Sequence, residues 1–242
     1  MAATADSGLA LRAMVTASNA NGSTPANSAA VLIPGTSVIG FVQSNSAEGS
    51  GVKTLSVAFG NSNTSGNLIV AFVRISSASQ TISLSDTLGN VYATAISQVQ
   101  AADGHQTYIL YAKNIRAGAN TVRVTFSGTN NHPFFAVYEF SGLSTASPLD
   151  QIASAQANDS TSVASPARST VTANELLFSG VGFPFQWKGT VTAGSGFALN
   201  QQDKATSRAA TEFRIVSSAG SYNGTFSLDS FANWSAVFAT FR

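Results

Sequence analysis

The chain has 242 residues and no cysteine. That excludes disulfides, thiolate chemistry and Cys-type zinc sites. Charge is scarce: 10% of residues are Asp, Glu, Lys or Arg, against about 25% in ordinary soluble domains. Twelve basic residues face eleven acidic ones, for a net charge of +1, and no basic run occurs. Nucleic-acid binders need clustered Lys and Arg to displace counterions, so no nucleic-acid partner is expected. Histidine is represented by two residues only. No apolar run approaches the roughly 20 residues of a membrane helix, so membrane insertion is not expected. The opening Met1-Ala-Ala-Thr-Ala-Asp-Ser lacks a basic region and an apolar region. A signal sequence, if one serves this protein, is therefore expected outside this chain.

Polarity comes instead from Ser, Thr, Asn and Gly. Short apolar alternations recur between clusters of these residues, and helical periodicity is nearly absent. This is the pattern of many short antiparallel strands. Strands are expected at Thr54–Phe59, Leu68–Ile75, Thr107–Lys113, Asn120–Phe126, Phe134–Phe140, Glu175–Gly180, Ala210–Val216, Gly224–Leu228 and Ser235–Phe241. Gly89 and Gly118 mark turns, because glycine accepts positive φ. The fold class is all-β, an antiparallel β-sandwich of jelly-roll-like type.

Two motifs recur at one offset. Thr125-Phe-Ser returns as Thr225-Phe-Ser, and Ala136-Val-Tyr-Glu-Phe as Ala236-Val-Phe-Ala-Thr, each 100 residues on. Thr64-Ser-Gly-Asn-Leu-Ile-Val-Ala is matched by Thr172-Ala-Asn-Glu-Leu-Leu-Phe-Ser, at an offset of 108. Two duplicated half-units of about 100 residues are expected, near 38–145 and 146–242, with Ser141–Ala155 joining them.

Residues 1–37 read differently. The run from Leu11 to Val31, with Val15-Thr-Ala-Ser-Asn19 and Gly22-Ser-Thr, resembles the last two strands of a fibronectin type III or immunoglobulin-like module. Half a sandwich cannot bury its own face. A partial hairpin followed by a linker at Ile33-Pro-Gly-Thr is expected, ahead of a β-sandwich domain over 38–242. That larger part carries Gly66-Asn-Leu-Ile-Val, Ser85-Asp-Thr-Leu-Gly-Asn-Val-Tyr92, Glu139-Phe-Ser-Gly142 and Pro148-Leu-Asp150. With these it resembles β-sandwich modules of large bacterial secreted and cell-surface proteins. The resemblance implies an extracellular or cell-surface location and carries no activity onto named residues.

No catalytic constellation emerges. His105 and His132 are the available bases, both in loop contexts where a solvated ring is expected, and no Gly-x-Ser-x-Gly elbow exists. The aspartates fall in turns, where they cap backbone N–H groups. Asp86…Asn90 is the best calcium-like cluster, but it lacks an Asp-x-Asp-x-Asp run. No metal or other cofactor is expected. Lys53, Lys113, Lys188 and Lys204 sit in polar surroundings, unlike the buried lysine of an isopeptide bond. Arg74 and Glu139 lie on half-apolar strand faces and are expected to pair with each other. Trp234 alternates into a strand and is expected in the core.

One segment stands out: Val181-Gly-Phe-Pro-Phe-Gln-Trp-Lys-Gly189, with three aromatics in a loop-like stretch. Aromatic faces stack on sugar rings, and neighbouring polar groups orient them. Phe183, Phe185, Gln186, Trp187 and Lys188 form the candidate ligand-contact set, although one or more of these rings would equally serve to plug the end of a sandwich. The expected function is a non-catalytic structural or adhesive module of a surface assembly. Its partners would be neighbouring domains or subunits. A carbohydrate-binding module is the alternative, and a polysaccharide-active enzyme a remote one.

Overall fold

The computed structural model describes residues 10–32, 38–203, 205 and 208–242. The expected linker at 33–36 lies outside them, as does Lys204. The described residues form antiparallel strands and no helix. The chain divides into two compact units, Met1–Val38 and Ile39–Arg242.

In the first unit β1 (Ala10–Leu11) pairs with β4 (Val31–Leu32), and β2 (Met14–Asn19) with β3 (Gly22–Asn27). Ala20 and Asn21 make the turn, where Asn19 Oδ1 accepts the Asn21 N–H at 2.8 Å. Every residue of β2 and β3 is exposed. The hairpin thus closes its backbone bonds without burying a face, as Met14 and Val15 show at 68% and 67% exposure.

The second unit opens with β5 (Gly40–Glu48), β6 (Val52–Ala58), β7 (Leu68–Ile75), β8 (Ile82–Asp86), β9 (Ala93–Val99), β10 (Gln106–Ala112), β11 (Thr121–Asn130) and β12 (Phe134–Ser141). One sheet runs β5-β12-β7-β10-β9 and another β6-β11-β8. There follow β13 (Leu149–Ala164), β14 (Arg168–Ser169), β15 (Glu175–Gly182), β16 (Val191–Ala193), β17 (Ala198–Gln202), β18 (Ala209–Val216), β19 (Ser221–Tyr222) and β20 (Thr225–Phe241). These form a sheet in the order β13-β20-β15-β18-β17, with β16 paired to the first residues of β20 and β14 to β19. The two long sheets repeat one order, since β5, β12, β7, β10 and β9 stand where β13, β20, β15, β18 and β17 stand. Likewise β11 lies between β6 and β8, as the start of β20 lies between the end of β13 and β16.

The apolar runs in β7, β12 and β15 follow from burial on both faces. Leu68, Val70 and Phe72 of β7 join Leu176, Phe178, Val237 and Phe241 in one cluster. Ile69, Ala71 and Val73 of the same strand join Val57, Val122, Val124 and Phe126 in another. At the first of these contacts Gly180 of β15 faces Phe72, and a Cβ at Gly180 would lie 2.2 Å from the ring's Cε2. Polar pairs bridge the same contact: Tyr138 Oη with Thr211 Oγ1, and Thr107 Oγ1 with Ser235 Oγ at 3.2 Å. Trp234 is buried in the core, with Val163, Phe226 and Ala232.

Three sequence expectations are corrected. Ser141–Ala155 is not merely a connection, because β13 begins at Leu149 and runs sixteen residues. It borders its sheet and alternates mainly among small and polar side chains, so it shows no apolar period. The expected strands Gly224–Leu228 and Ser235–Phe241 are joined, since one continuous strand, β20, runs from Thr225 to Phe241. Arg74 and Glu139 do not pair. Register sets Arg74 opposite Phe134 and Glu139 opposite Ile69, which puts them at opposite ends and on opposite faces of one sheet.

Glu139 has a different task. Its buried carboxylate accepts Asn63 Nδ2 at 2.6 Å, Asn67 Nδ2 and Gln43 Nε2 at 2.7 Å, and Thr64 N–H at 2.8 Å. It therefore holds the loop that feeds β7. At the matching loop before β15 the acid is local: Glu175 Oε1 accepts Thr172 N–H at 3.2 Å and its hydroxyl at 3.0 Å.

Candidate functional site

The segment 181–189 is partly strand. Val181 and Gly182 complete β15, and the next inward position belongs to Phe183. Phe183 is fully buried among Val191, Phe226 and Trp234. Trp187 is half-buried against it, with ring centroids 4.3 Å apart. A turn makes this possible, in which Trp187 N–H donates to Pro184 O at 3.1 Å. Gly189 leaves the room: a Cβ there would meet Trp187 Cζ2 at 2.2 Å. Of the five residues singled out from sequence, Phe183 thus faces the core and Trp187 leans on it. Phe185, Gln186 and Lys188 are exposed.

Phe185 turns the other way. It stacks on His132, with centroids 5.2 Å apart and planes 12° from parallel, and stays 45% exposed. The two rings come from loops far apart in sequence. One buried side chain ties those loops together: Arg74 donates from Nε and Nη2 to Phe183 O at 3.1 and 2.7 Å, and from Nη1 to His132 O at 3.0 Å. Burial pushes the Arg74 pKa down to about 10, helped by the charge of Arg208 and opposed by Asp103 and Asp203. It stays a cation at neutral pH. His132 adopts φ +58°, a left-handed conformation uncommon outside glycine.

His105 lies beside this group and is 1% exposed. That corrects the expectation of a solvated loop ring. Its Nε2 donates to Gly182 O at 3.0 Å, and its Nδ1 sits 2.5 Å from Asp103 Oδ1. A carbonyl only accepts, so Nε2 carries a proton, and the second nitrogen lies against the Asp103 carboxylate. Burial holds the His105 pKa below its ordinary value, with Arg74 adding to this and Asp103 opposing it. Burial pushes the Asp103 carboxyl up, but bonds and charge from His105 outweigh it and the net shift is downward. Both nitrogens are engaged, so the ring is a clamp on the end of β15 and not a poised base.

These groups line a cavity of about 350 Å³, bounded by Arg74, Asp103, His105, Asn131, His132, Phe185 and Gln186, among others. Sequence reasoning found Phe185 and Gln186. Arg74 it found for the wrong partner, and His132 and Asn131 gave no local signal. Their role arises from pairing Phe134 with Arg74, which only the register supplies.

Elsewhere the polar groups serve the fold. Asp86 accepts Leu88 and Asn90 N–H, Asn90 Nδ2, Tyr92 Oη–H and Asn120 Nδ2. Burial raises its pKa, but these bonds together carry it below the ordinary carboxylate value. Five donors make it the centre of a turn. No group of three metal-binding side chains occurs among the described residues. No helix there is long and apolar enough to cross a membrane. Comparison with protein-family models, curated proteins and solved structures finds no match.

Glu212 gives a test of burial in this half. Its carboxylate accepts Gly194 N–H at 2.7 Å and Thr225 N–H at 3.2 Å. Burial raises its pKa to about 7, against the pull of those two donors. Between the ordinary 4.5 and 7 the folded chain keeps a proton that the unfolded chain releases. The Glu212 contribution to stability is therefore full below pH 4.5 and lost as pH rises to 7. That is a swing on the order of 3 kcal/mol at 1.36 kcal/mol per unit. Carboxyl ¹³C NMR should find the Glu212 midpoint near 7; a midpoint near 4.5 would show the carboxylate to be solvated.

Proposed function

We propose that this chain is a non-catalytic structural or adhesive module of an extracellular or cell-surface assembly. Its second unit is read as two duplicated β-sandwich half-units packed against each other. The observation that carries the functional reading is the engagement of four ionisable groups, three of them buried and one half-buried. Arg74, Asp86, His105 and Glu139 each spend their hydrogen bonds on loops, turns and strand ends. Groups so committed hold geometry and have little left for chemistry. The repeated strand order supports the duplication, as do the 100-residue offsets in sequence. A surface poor in charge and rich in Ser, Thr and Asn suits an extracellular setting.

The exposed hairpin is the joining element in this reading. Its apolar side chains are exposed, and among the described residues β2 and β3 pair only with each other, which suits pairing with another chain. Light scattering of the full chain should show mass rising with concentration. The chain lacking residues 1–36 should stay monomeric; unchanged assembly would remove the hairpin from this role.

A second reading is favoured by one observation, the exposed Phe185 at the rim of a polar cavity. In that reading the module also holds a glycan.

A further inference from the structure

We propose that the cavity between the 131–132 loop and the 184–186 loop binds one neutral pyranose ring, stacked on Phe185 and hydrogen-bonded by Asp103, Asn131 and Gln186. This rests on the glycan reading and is independent of the module's structural role. Size fits first: about 350 Å³ lies at the small end of ligand pockets, which run from roughly 300 to 1,000 Å³.

Shape comes next. Phe185 is the large ring at the rim, held flat by its stack on His132 and still 45% exposed. A sugar's C–H face covers such a ring with little loss of entropy, because the ring is already fixed. The fixing is built in from below. Arg74 bonds the carbonyls of His132 and Phe183, so one guanidinium sets the spacing of both loops. His132 is kept in its left-handed conformation within the same arrangement, and strain of that kind gathers at binding sites.

Charge decides the ligand class. The Asp103 carboxylate already takes hydrogen bonds from His105 and Asn233, but its side chain is a quarter exposed and lines the cavity, so an oxygen still accepts from a hydroxyl. The Arg74 cation at the floor offsets it, and the nearby Arg208 is itself paired with Asp203, so neither sign prevails. An anionic sugar would meet Asp103, and a cation would meet Arg74. A neutral polyol meets neither penalty, and the exposed amides of Asn131 and Gln186 offer it both donors and acceptors. Trp187 and Phe183 stand behind the platform as packing and do not touch the sugar.

The test is an NMR titration of the labelled full chain with cellobiose, maltose, mannobiose and lactose, and with digalacturonic acid as the anionic probe. At least one neutral disaccharide should shift Asn131, His132, Phe185 and Gln186. Phe185→Ala should weaken that binding at least tenfold while leaving Tm unchanged. Should Phe185→Ala fail to fold, Gln186→Ala must weaken it at least threefold. Shifts that map elsewhere overturn this site and leave the glycan reading standing. No shift with any probe overturns both. Binding of digalacturonic acid alone at these residues overturns the neutral assignment, and unchanged affinity in Phe185→Ala or Gln186→Ala overturns the contact set.

Discussion

Glu139→Ala is expected to cost about 4 kcal/mol of folding stability, because it takes the acceptor from several hydrogen-bond donors at once. The carboxylate is fully buried and accepts four hydrogen bonds from Gln43, Asn63, Thr64 and Asn67. Removing it takes the acceptor from four donors, of which Asn63 and Asn67 are buried, and each buried orphan costs about 1–3 kcal/mol before relaxation. Water reaching the exposed Thr64, and the second bond of Gln43 to Asn61 O, reduce the sum. Glu139→Gln should cost about half as much, since one oxygen still accepts while the new amide faces donors. Urea unfolding measures both. A loss below about 1 kcal/mol for Glu139→Ala would mean that water replaces the carboxylate and that the loop before β7 is not held by it.

The second large effect is at Gly180. Its backbone approaches Phe72 so closely that an added Cβ would lie 2.2 and 2.3 Å from two ring carbons. Both residues sit on strands that are buried throughout, β7 and β15, so neither backbone has room to retreat. Gly180→Ala should therefore cost about 3 kcal/mol, at the upper end for overpacking. Phe72→Ala alone should cost about 3–5 kcal/mol through the cavity it leaves. The double variant should cost at least 1 kcal/mol less than the two single losses combined, because the new methyl enters the space of the lost ring. Additive losses would mean that the two residues do not share one contact.

The central strands were legible because burial on both faces writes a continuous apolar run. Leu68–Ile75 appears in the structure with the bounds read from sequence. The border strands β5 and β13 were not legible. β5 and β13 are rich in Ser, Asn, Gln and Ala, and their side chains reach polar partners across sheets, as Ser44 reaches Asn200 at 2.9 Å. Such a strand is specified by its neighbours and carries little pattern of its own. The aromatic stretch 181–189 was legible as unusual, but its division was not. Which rings face inward depends on how far β15 runs, and two further residues of strand bring Phe183 into the core. Arg74 and Glu139 were legible as misfits on apolar faces. Their partners are backbone carbonyls, amides and one N–H in distant loops, and no spacing rule reaches those.

Residues 39–242 form one compact unit, with β5–β12 and β13–β20 packed through Phe72, Tyr138, Phe178 and Gly180. Hydrogen exchange followed by mass spectrometry tests this most directly. Amides of β7, β12, β15 and the second half of β20 should be the slowest to exchange and should open together, with one common free energy. If β13–β20 exchanged at a free energy several kcal/mol below β5–β12, the two strand sets would be separate domains in loose contact, and the shared core would not exist.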